Sequence, residues 1–239
     1  MSTELPLVSL CTPTFNRRRY IPLAIRCIEL QTYPKDKMEW IIVNDGYEEI
    51  EDILNDAIKT KDLPKIKYYR YKTRMILGEK RNLCNKYASG DIIVNMDDDD
   101  YYPPQRVSLA VNTLLENPKV YCAGISKLYT YFKNYDIFGV IGPSSNNHLF
   151  TGSFAFKKEL LKITSYDNKC ESAEESDFLL KLNLPVIQLD PLQTIIALSH
   201  ETNTSDRSRF AENIKTYILE EKTPKDFIPD DITRDLFIQ

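Results

Sequence analysis

The first hundred residues alternate short apolar runs with apolar stripes at helical spacing. Leu7 to Thr12 is a strand-like run, and Ile21, Ile25 and Ile28 then recur with the period of a helix, Pro22 being tolerable in its first turn. Trp40 to Val43 is continuous and apolar and stops at Asn44-Asp45-Gly46. Ile50, Ile53, Leu54, Ala57 and Ile58 form a stripe at i, i+3, i+4, i+7 and i+8, which predicts a second helix. Ile66 to Tyr71 predicts a third strand. Leu83, Cys84, Tyr87 and Ala88 predict a third helix closed by Gly90, and Ile92 to Met96 a fourth strand. Strand–helix–strand alternation at this spacing predicts an α/β chain with a mostly parallel central sheet flanked by helices.

The second half is more mixed. Pro103-Pro104 opens a helix carrying Val107, Ala110, Val111, Leu114 and Leu115 on one face, and Pro118 ends it. Val120 to Gly124, Leu128 to Phe132, Val186 to Leu189 and Thr194 to Leu198 read as strands, and Glu174 to Leu182 as a helix. Segment 137–156, rich in Gly, Ser, Asn and aromatic residues, reads as a loop with a strand at its end. Phe210, Ile214, Tyr217 and Ile218 predict a C-terminal amphipathic helix, and the acidic last dozen residues are expected to pack loosely or meet a partner.

Composition narrows the function classes. The chain has 239 residues and a net charge of −4, so it carries no overall basic footprint for nucleic acid. Tyr68, Tyr69 and Tyr71 are most simply strand residues. The five cysteines are scattered with no C-x-x-C pair, which predicts reduced, mostly buried thiols and no disulfide framework. With two histidines, a histidine-based metal cluster is not expected. Met1 to Pro6 is short and polar, and no stretch of about 18 apolar residues occurs, so the expectation is a cytoplasmic protein with no membrane span.

Open parallel sheets bind ligands beyond the carboxyl ends of their strands. Here the first strand runs into Pro13-Thr14-Phe15-Asn16-Arg17, the second ends at Asp45-Gly46, and the fourth ends in Asp97-Asp98-Asp99-Asp100. Four successive carboxylates repel one another unless a cation or solvent offsets the charge. A short acidic run alone is usually a solvated turn. Its place between an apolar strand and a proline-started helix favours a site for a hard divalent ion, Mg²⁺ or Mn²⁺, which keeps waters and takes phosphate oxygens. Neither G-x-x-x-x-G-K-[ST] nor G-x-G-x-x-G occurs, so phosphate would be held by the metal and by cations, with Arg81 a candidate.

These residues resemble the family 2 glycosyltransferases, which have the GT-A fold. Leu10-Cys11-Thr12-Pro13-Thr14-Phe15-Asn16-Arg17 is similar to their opening motif, and Ile41-Ile42-Val43-Asn44-Asp45-Gly46 to their second-strand motif. Gly78-Glu79-Lys80-Arg81-Asn82 with Ala88-Ser89-Gly90-Asp91 resembles the stretch leading into the metal strand, and Asp97 to Asp100 with Pro104 resembles the D-x-D segment. Gly152 with Lys157-Lys158-Glu159-Leu160-Leu161, then Glu174-Glu175-Ser176-Asp177, resemble the acceptor-side motifs. Each motif is weak alone, and six in order are fairly specific. The likeness runs from about Leu7 to about His200.

The resemblance implies an inverting, metal-dependent and non-processive transfer of a sugar from a nucleotide-sugar, a UDP-sugar being favoured, to an acceptor whose identity stays open. It implies a domain over 1–205, with a nucleotide-sugar half at about 5–100 and an acceptor half at about 101–205, followed by a C-terminal helix and tail over 206–239. By the same resemblance Phe15 and Asp45 hold the donor base, and Pro13, Asn16, Arg17, Arg81, Asp97 and Asp98 complete the donor site. Asp97 and Asp99 form the D-x-D pair, with Asp99 the direct metal ligand, and His200 sits where related enzymes place a late histidine near metal or diphosphate. Glu175 falls at the position of the catalytic base, beside Glu174 where an E-D pair is more usual, so which of the two faces the acceptor stays open. Asn44 stands where aspartate is common, and no Q-x-x-R-W segment exists, which argues against a processive polysaccharide synthase. A sugar nucleotidyltransferase would want a glycine-rich loop after the first strand, and Pro13 to Arg17 contains no glycine. A catalytically silent nucleotide- or sugar-binding protein on the same scaffold is the third reading.

Overall fold

The computed structural model describes residues 4–143, 148–170, 178–179, 184–203 and 217–239. The first half follows the predicted alternation: β1 (Val8–Thr14), α1 (Ile21–Glu29), β2 (Met38–Asn44), α2 (Glu51–Thr60), β3 (Lys65–Arg70), α3 (Leu77–Tyr87) and β4 (Ile92–Asn95). Next come α4 (Arg106–Glu116), β5 (Cys122–Gly124), β6 (Leu128–Phe132), β7 (Ile137–Ile141) and β8 (Ala155–Lys157). The chain closes with β9 (Val186–Gln188), β10 (Ile196–Ser199), β11 (Tyr217–Leu219), α5 (Pro224–Phe227) and α6 (Asp231–Ile238).

Seven strands form the main sheet in the order β3-β2-β1-β4-β8-β5-β9. β1, β2, β3 and β4 run parallel, β8 is antiparallel to both β4 and β5, and β9 is parallel to β5. Alternation along the strands sends successive side chains to opposite layers. Val8 and Leu10, Trp40 and Ile42, and Ile92 and Val94 join one apolar layer with residues of α1, α2 and α4. Cys11, Ile41, Val43 and Ile93 join the other with Cys84 and Ala88 of the α3 region. Both faces are covered, which is why these strands read as continuous apolar runs.

β1 pairs with β2 along its whole length but with β4 only from Val8 to Cys11, leaving Thr12 to Thr14 unpaired on that side. Pro13, which has no N–H to give, is tolerated in this central strand because it lies beyond the paired stretch. The strand order reverses at this same place, so the β1–β4 divergence is the crevice where ligands bind open α/β sheets. The Thr12 hydroxyl closes its floor by donating to the Met96 carbonyl at 2.6 Å and accepting from the buried Trp40 indole at 2.8 Å.

The second half departs from the sequence reading in three places. The segment 137–156, expected as a loop with a strand at its end, does end in β8 but also opens with β7, which joins β6, β10 and β11 in a second sheet ordered β10-β6-β7-β11 and pairs antiparallel with β6 across a tight turn in which Asp136 takes a φ of 51°. Tyr217 and Ile218, read as part of a helix, lie in β11 against Gly139 and Val140; the rest of that predicted helix, like most of the one at Glu174 to Leu182, lies outside the described residues. The last dozen residues are anchored to the body at a few points, since Ile228, Thr233 and Phe237 are fully buried and Arg26 of α1 holds Asp230 at 3.1 Å. Among the described residues no helix is long and apolar enough to cross a membrane. The five cysteines are free and four of them are buried.

Candidate active site

The carboxyl ends of β1, β2 and β4 bring the predicted residues to one edge of the sheet. Behind β1 the chain turns at Asn16, whose φ is 52°. Its side-chain oxygen accepts from the Tyr47 N–H at 2.7 Å, tying the β1 end to the turn after β2. Gly46 is required there, because an added Cβ would lie 2.4 Å from the Asn16 backbone nitrogen. Asn44, at the position where aspartate was expected, uses its amide internally. Its oxygen accepts from the Gly46 N–H at 2.8 Å, and its nitrogen donates to the Glu48 carbonyl at 3.2 Å and the Tyr68 hydroxyl at 3.0 Å.

Asp45 is buried and doubly engaged. One oxygen takes the Lys80 ammonium at 2.8 Å and the other accepts from the Met75 N–H at 2.5 Å. The half-buried Phe15 ring lies alongside, with the Arg74 guanidinium 4.7 Å and the Lys80 ammonium 5.5 Å from its centre. Arg81 does not project as a free surface charge. It is buried and forms a two-pronged pair with Asp97 at 3.0 and 3.1 Å. The Asp97 N–H donates to the Tyr102 hydroxyl at 2.7 Å, and that hydroxyl donates to the Gly152 carbonyl at 3.1 Å, so Asp97 is braced from both sides. The fully buried Arg106 donates to the Ser153 and Phe154 carbonyls and holds the same loop in place.

Asp98 and Asp99 meet different surroundings. Burial, and next the charge of Asp99, push the Asp98 carboxyl up to about 7, against the pull of Arg17 and a hydrogen bond from Thr14. Its Oδ2 finds no hydrogen-bond partner among the described residues. Asp99 Oδ2 lies 3.0 Å from His200 Nε2, and both side chains are nearly buried. Two donors span this pair. Arg17 Nη1 is 2.6 Å from the carboxylate oxygen and 2.9 Å from the imidazole nitrogen; Asn203 Nδ2 is 3.2 and 3.0 Å from the same two atoms. Which ring nitrogen carries the hydrogen depends on the tautomer: the Thr202 N–H, which can only donate, lies 3.2 Å from Nδ1 and the Thr202 hydroxyl 3.0 Å from it, while Nε2 faces the Asp99 acceptor as well as the Arg17 and Asn203 donors. Burial holds the imidazole below its ordinary pKa, overriding the hydrogen bond to Asp99, so the neutral form that a metal needs is favoured. The Tyr20 ring lies over it with centres 4.7 Å apart.

These donors fit a divalent cation. Adjacent ligands of an octahedral ion with bonds of about 2.1 Å stand about 3.0 Å apart, and that is the separation of Asp99 Oδ2 and His200 Nε2. Among the described residues no group of three or more His, Cys, Asp or Glu side chains converges as a metal cluster. Of the three residues singled out as ligands, Asp99 and His200 are adjacent while Asp97 faces Arg81. Glu175 lies outside the described residues. Lys80, Arg74, Tyr102 and Asn203 were not singled out in the sequence. Lys80 lies inside a quoted motif and Asn203 three residues after His200, so proximity to a motif was the available signal.

The family model described as glycosyl transferase family 2 matches residues 9–159. An uncharacterized glycosyltransferase of Haemophilus influenzae is 25% identical over 193 residues, which cover 74% of this chain and 62% of the relative, so the chain spans less than two thirds of that protein. Among solved structures, the mannosyltransferase PcManGT from Pyrobaculum calidifontis, in complex with GDP-Man and Mn²⁺, superposes with a TM-score of 0.67 at 18% identity, covering 99% of this chain and 70% of that one. S. aureus TarS 1–349 in complex with UDP-GlcNAc superposes with a TM-score of 0.66 at 19% identity, covering 92% of this chain and 63% of that one. At these identities the likeness is one of fold, and that fold is the GT-A arrangement of a mostly parallel sheet flanked by helices.

Proposed function

The chain belongs to glycosyl transferase family 2, and from that premise we propose that it moves a sugar from a nucleotide-sugar, a UDP-sugar being favoured, to an acceptor hydroxyl with inversion and with the help of a divalent cation. The observation that carries this reading is the Asp99 Oδ2–His200 Nε2 pair, two atoms able to ligate a cation that stand 3.0 Å apart beside the β1–β4 divergence. Asp99 and His200 would hold Mn²⁺ or Mg²⁺, which supplies compensation for the charge that grows on the leaving diphosphate. The other assignments concern the chain's own groups. Phe15 offers its ring to the base, and Asp45, paired with Lys80 at 2.8 Å, offers the remaining acceptor capacity of its carboxyl oxygens to a base N–H. Pro13, Asn16 and Asp98 shape the donor site around the β1 end, and Arg17 brings a positive charge to it. Arg81 fixes Asp97 against the diphosphate side. Glu175 takes the proton of the acceptor hydroxyl while that oxygen bonds to the anomeric carbon and the nucleoside diphosphate departs from the opposite face.

A panel of UDP-, GDP- and dTDP-sugars screened by thermal shift, with and without Mn²⁺, tests the reading. One donor should raise the melting temperature by mass action, more with Mn²⁺, and Asp99→Ala should abolish the Mn²⁺ increment. No shift with any donor on the folded protein would favour the silent scaffold instead.

A further inference from the structure

The Asp99–His200 pair already holds a cation of the chain's own. Arg17 Nη1 sits within hydrogen-bond distance of both atoms, 2.6 and 2.9 Å away, and its Nη2 donates to the Thr202 carbonyl. Arg17 is only 8% exposed, so this is a built-in contact and not a passing surface pair. A divalent ion ligated by Asp99 Oδ2 and His200 Nε2 would take the place that Arg17 Nη1 now fills beside both atoms. It would also place a second cation against a permanent one in a site of low polarisability. The two occupancies therefore exclude each other. Asn203, the second donor on the pair, is neutral and adds no such charge conflict.

We propose that Arg17 is a resident cation that the metal must displace from Asp99 and His200, so that the free protein binds Mn²⁺ or Mg²⁺ weakly and a nucleoside diphosphate, by drawing the guanidinium to its own charge, strengthens metal binding. This rests on the assignment of Asp99 and His200 as metal-holding residues. It makes metal and donor a coupled pair: each binds better after the other, by the same factor. Arg17 then has two anionic partners at different stages, Asp99 in the free protein and the diphosphate in the loaded one.

Mn²⁺ binding followed by the loss of the free-ion electron paramagnetic resonance signal tests this without any turnover. Arg17→Gln, with no nucleotide present, is expected to bind Mn²⁺ tighter than wild type by roughly tenfold or more. UDP is expected to strengthen Mn²⁺ binding in wild type and to do so much less in the variant. Arg17→Lys covers the case in which the glutamine variant does not fold. A lysine keeps the charge but has a single nitrogen in place of the fork that reaches Asp99, His200 and Thr202, so its Mn²⁺ affinity should also exceed wild type, by a smaller factor. Mn²⁺ binding to wild type as tight as, or tighter than, to both folded variants would overturn the displacement and leave the metal site standing. No Mn²⁺ binding to any variant, with or without UDP, would overturn the metal assignment and the displacement together.

Discussion

Lys80→Met probes the buried pair beneath the proposed base site. The Lys80 and Asp45 side chains are 8% and 0% exposed, so solvent screens their contact little. Deleting one partner leaves a buried carboxylate held by the Met75 N–H alone, and breaking a buried pair this way costs about 3–5 kcal/mol. For 239 residues at about 2.1 cal/mol/K each, the unfolding entropy near the midpoint is about 0.5 kcal/mol/K. The melting temperature should then fall by about 6–10 °C. Adding Asp45→Asn removes the stranded charge and keeps an oxygen for the Met75 N–H. The double variant should therefore recover much of the loss, giving a coupling well outside the additive range of about 0.5 kcal/mol. Calorimetric or circular-dichroism melts of the four proteins in the cycle measure both quantities. A single variant within about 1 kcal/mol of wild type, or strict additivity, would refute the reasoning, because Asp45 would then be satisfied without Lys80.

Further outcomes follow from other contacts. Phe237→Ala should cost about 3–5 kcal/mol in chemical denaturation, since the ring is fully buried on the last helix; a loosely packed tail would show almost none of this. Gly46→Ala should destabilise by about 1–3 kcal/mol and weaken donor binding, because the new Cβ meets the Asn16 nitrogen at 2.4 Å. The Thr233 hydroxyl and then Arg26 hold Asp230 at about 2, below the carboxylate value of 3.8. Its contribution is therefore complete above pH 3.8 and is lost as pH falls through about 2, so the stability gap between wild type and Asp230→Asn should close over that window.

The parallel half of the fold was legible because its strands are covered on both faces and its helices on one. The runs at Trp40–Val43 and Ile92–Met96 and the stripe from Ile50 to Ile58 carry unmistakable periods. In the second sheet β6 and β10 were legible, and β7 and β11 were not. β7 is a five-residue run containing Gly139 inside a segment dominated by loop-forming residues, and only pairing with β6 and β11 makes it a strand. Tyr217 and Ile218 fitted a helical period by position alone, and tertiary pairing overrode it. The site divides the same way. Asp45, Asp97 and Asp99 stand out because carboxylates crowd the ends of apolar strands. Lys80 and Arg17 look like surface charges in one dimension, and their burial arises only when chain segments 35 and 82 residues apart come together. Asn203 acquires its place from the turn after His200, for which His200 and Asn203 themselves supply the hydrogen bonds.

Release of nucleoside diphosphate from a nucleotide-sugar, followed with and without chelator in wild type and Asp99→Asn, tests the central claim most directly. The account predicts release by wild type in Mn²⁺ or Mg²⁺, its loss on chelation with recovery on adding the ion back, and a fall of about 100-fold or more in the Asp99 variant. Release at full rate from the folded Asp99 variant, indifferent to chelator, would contradict the placement of the metal on Asp99 and His200.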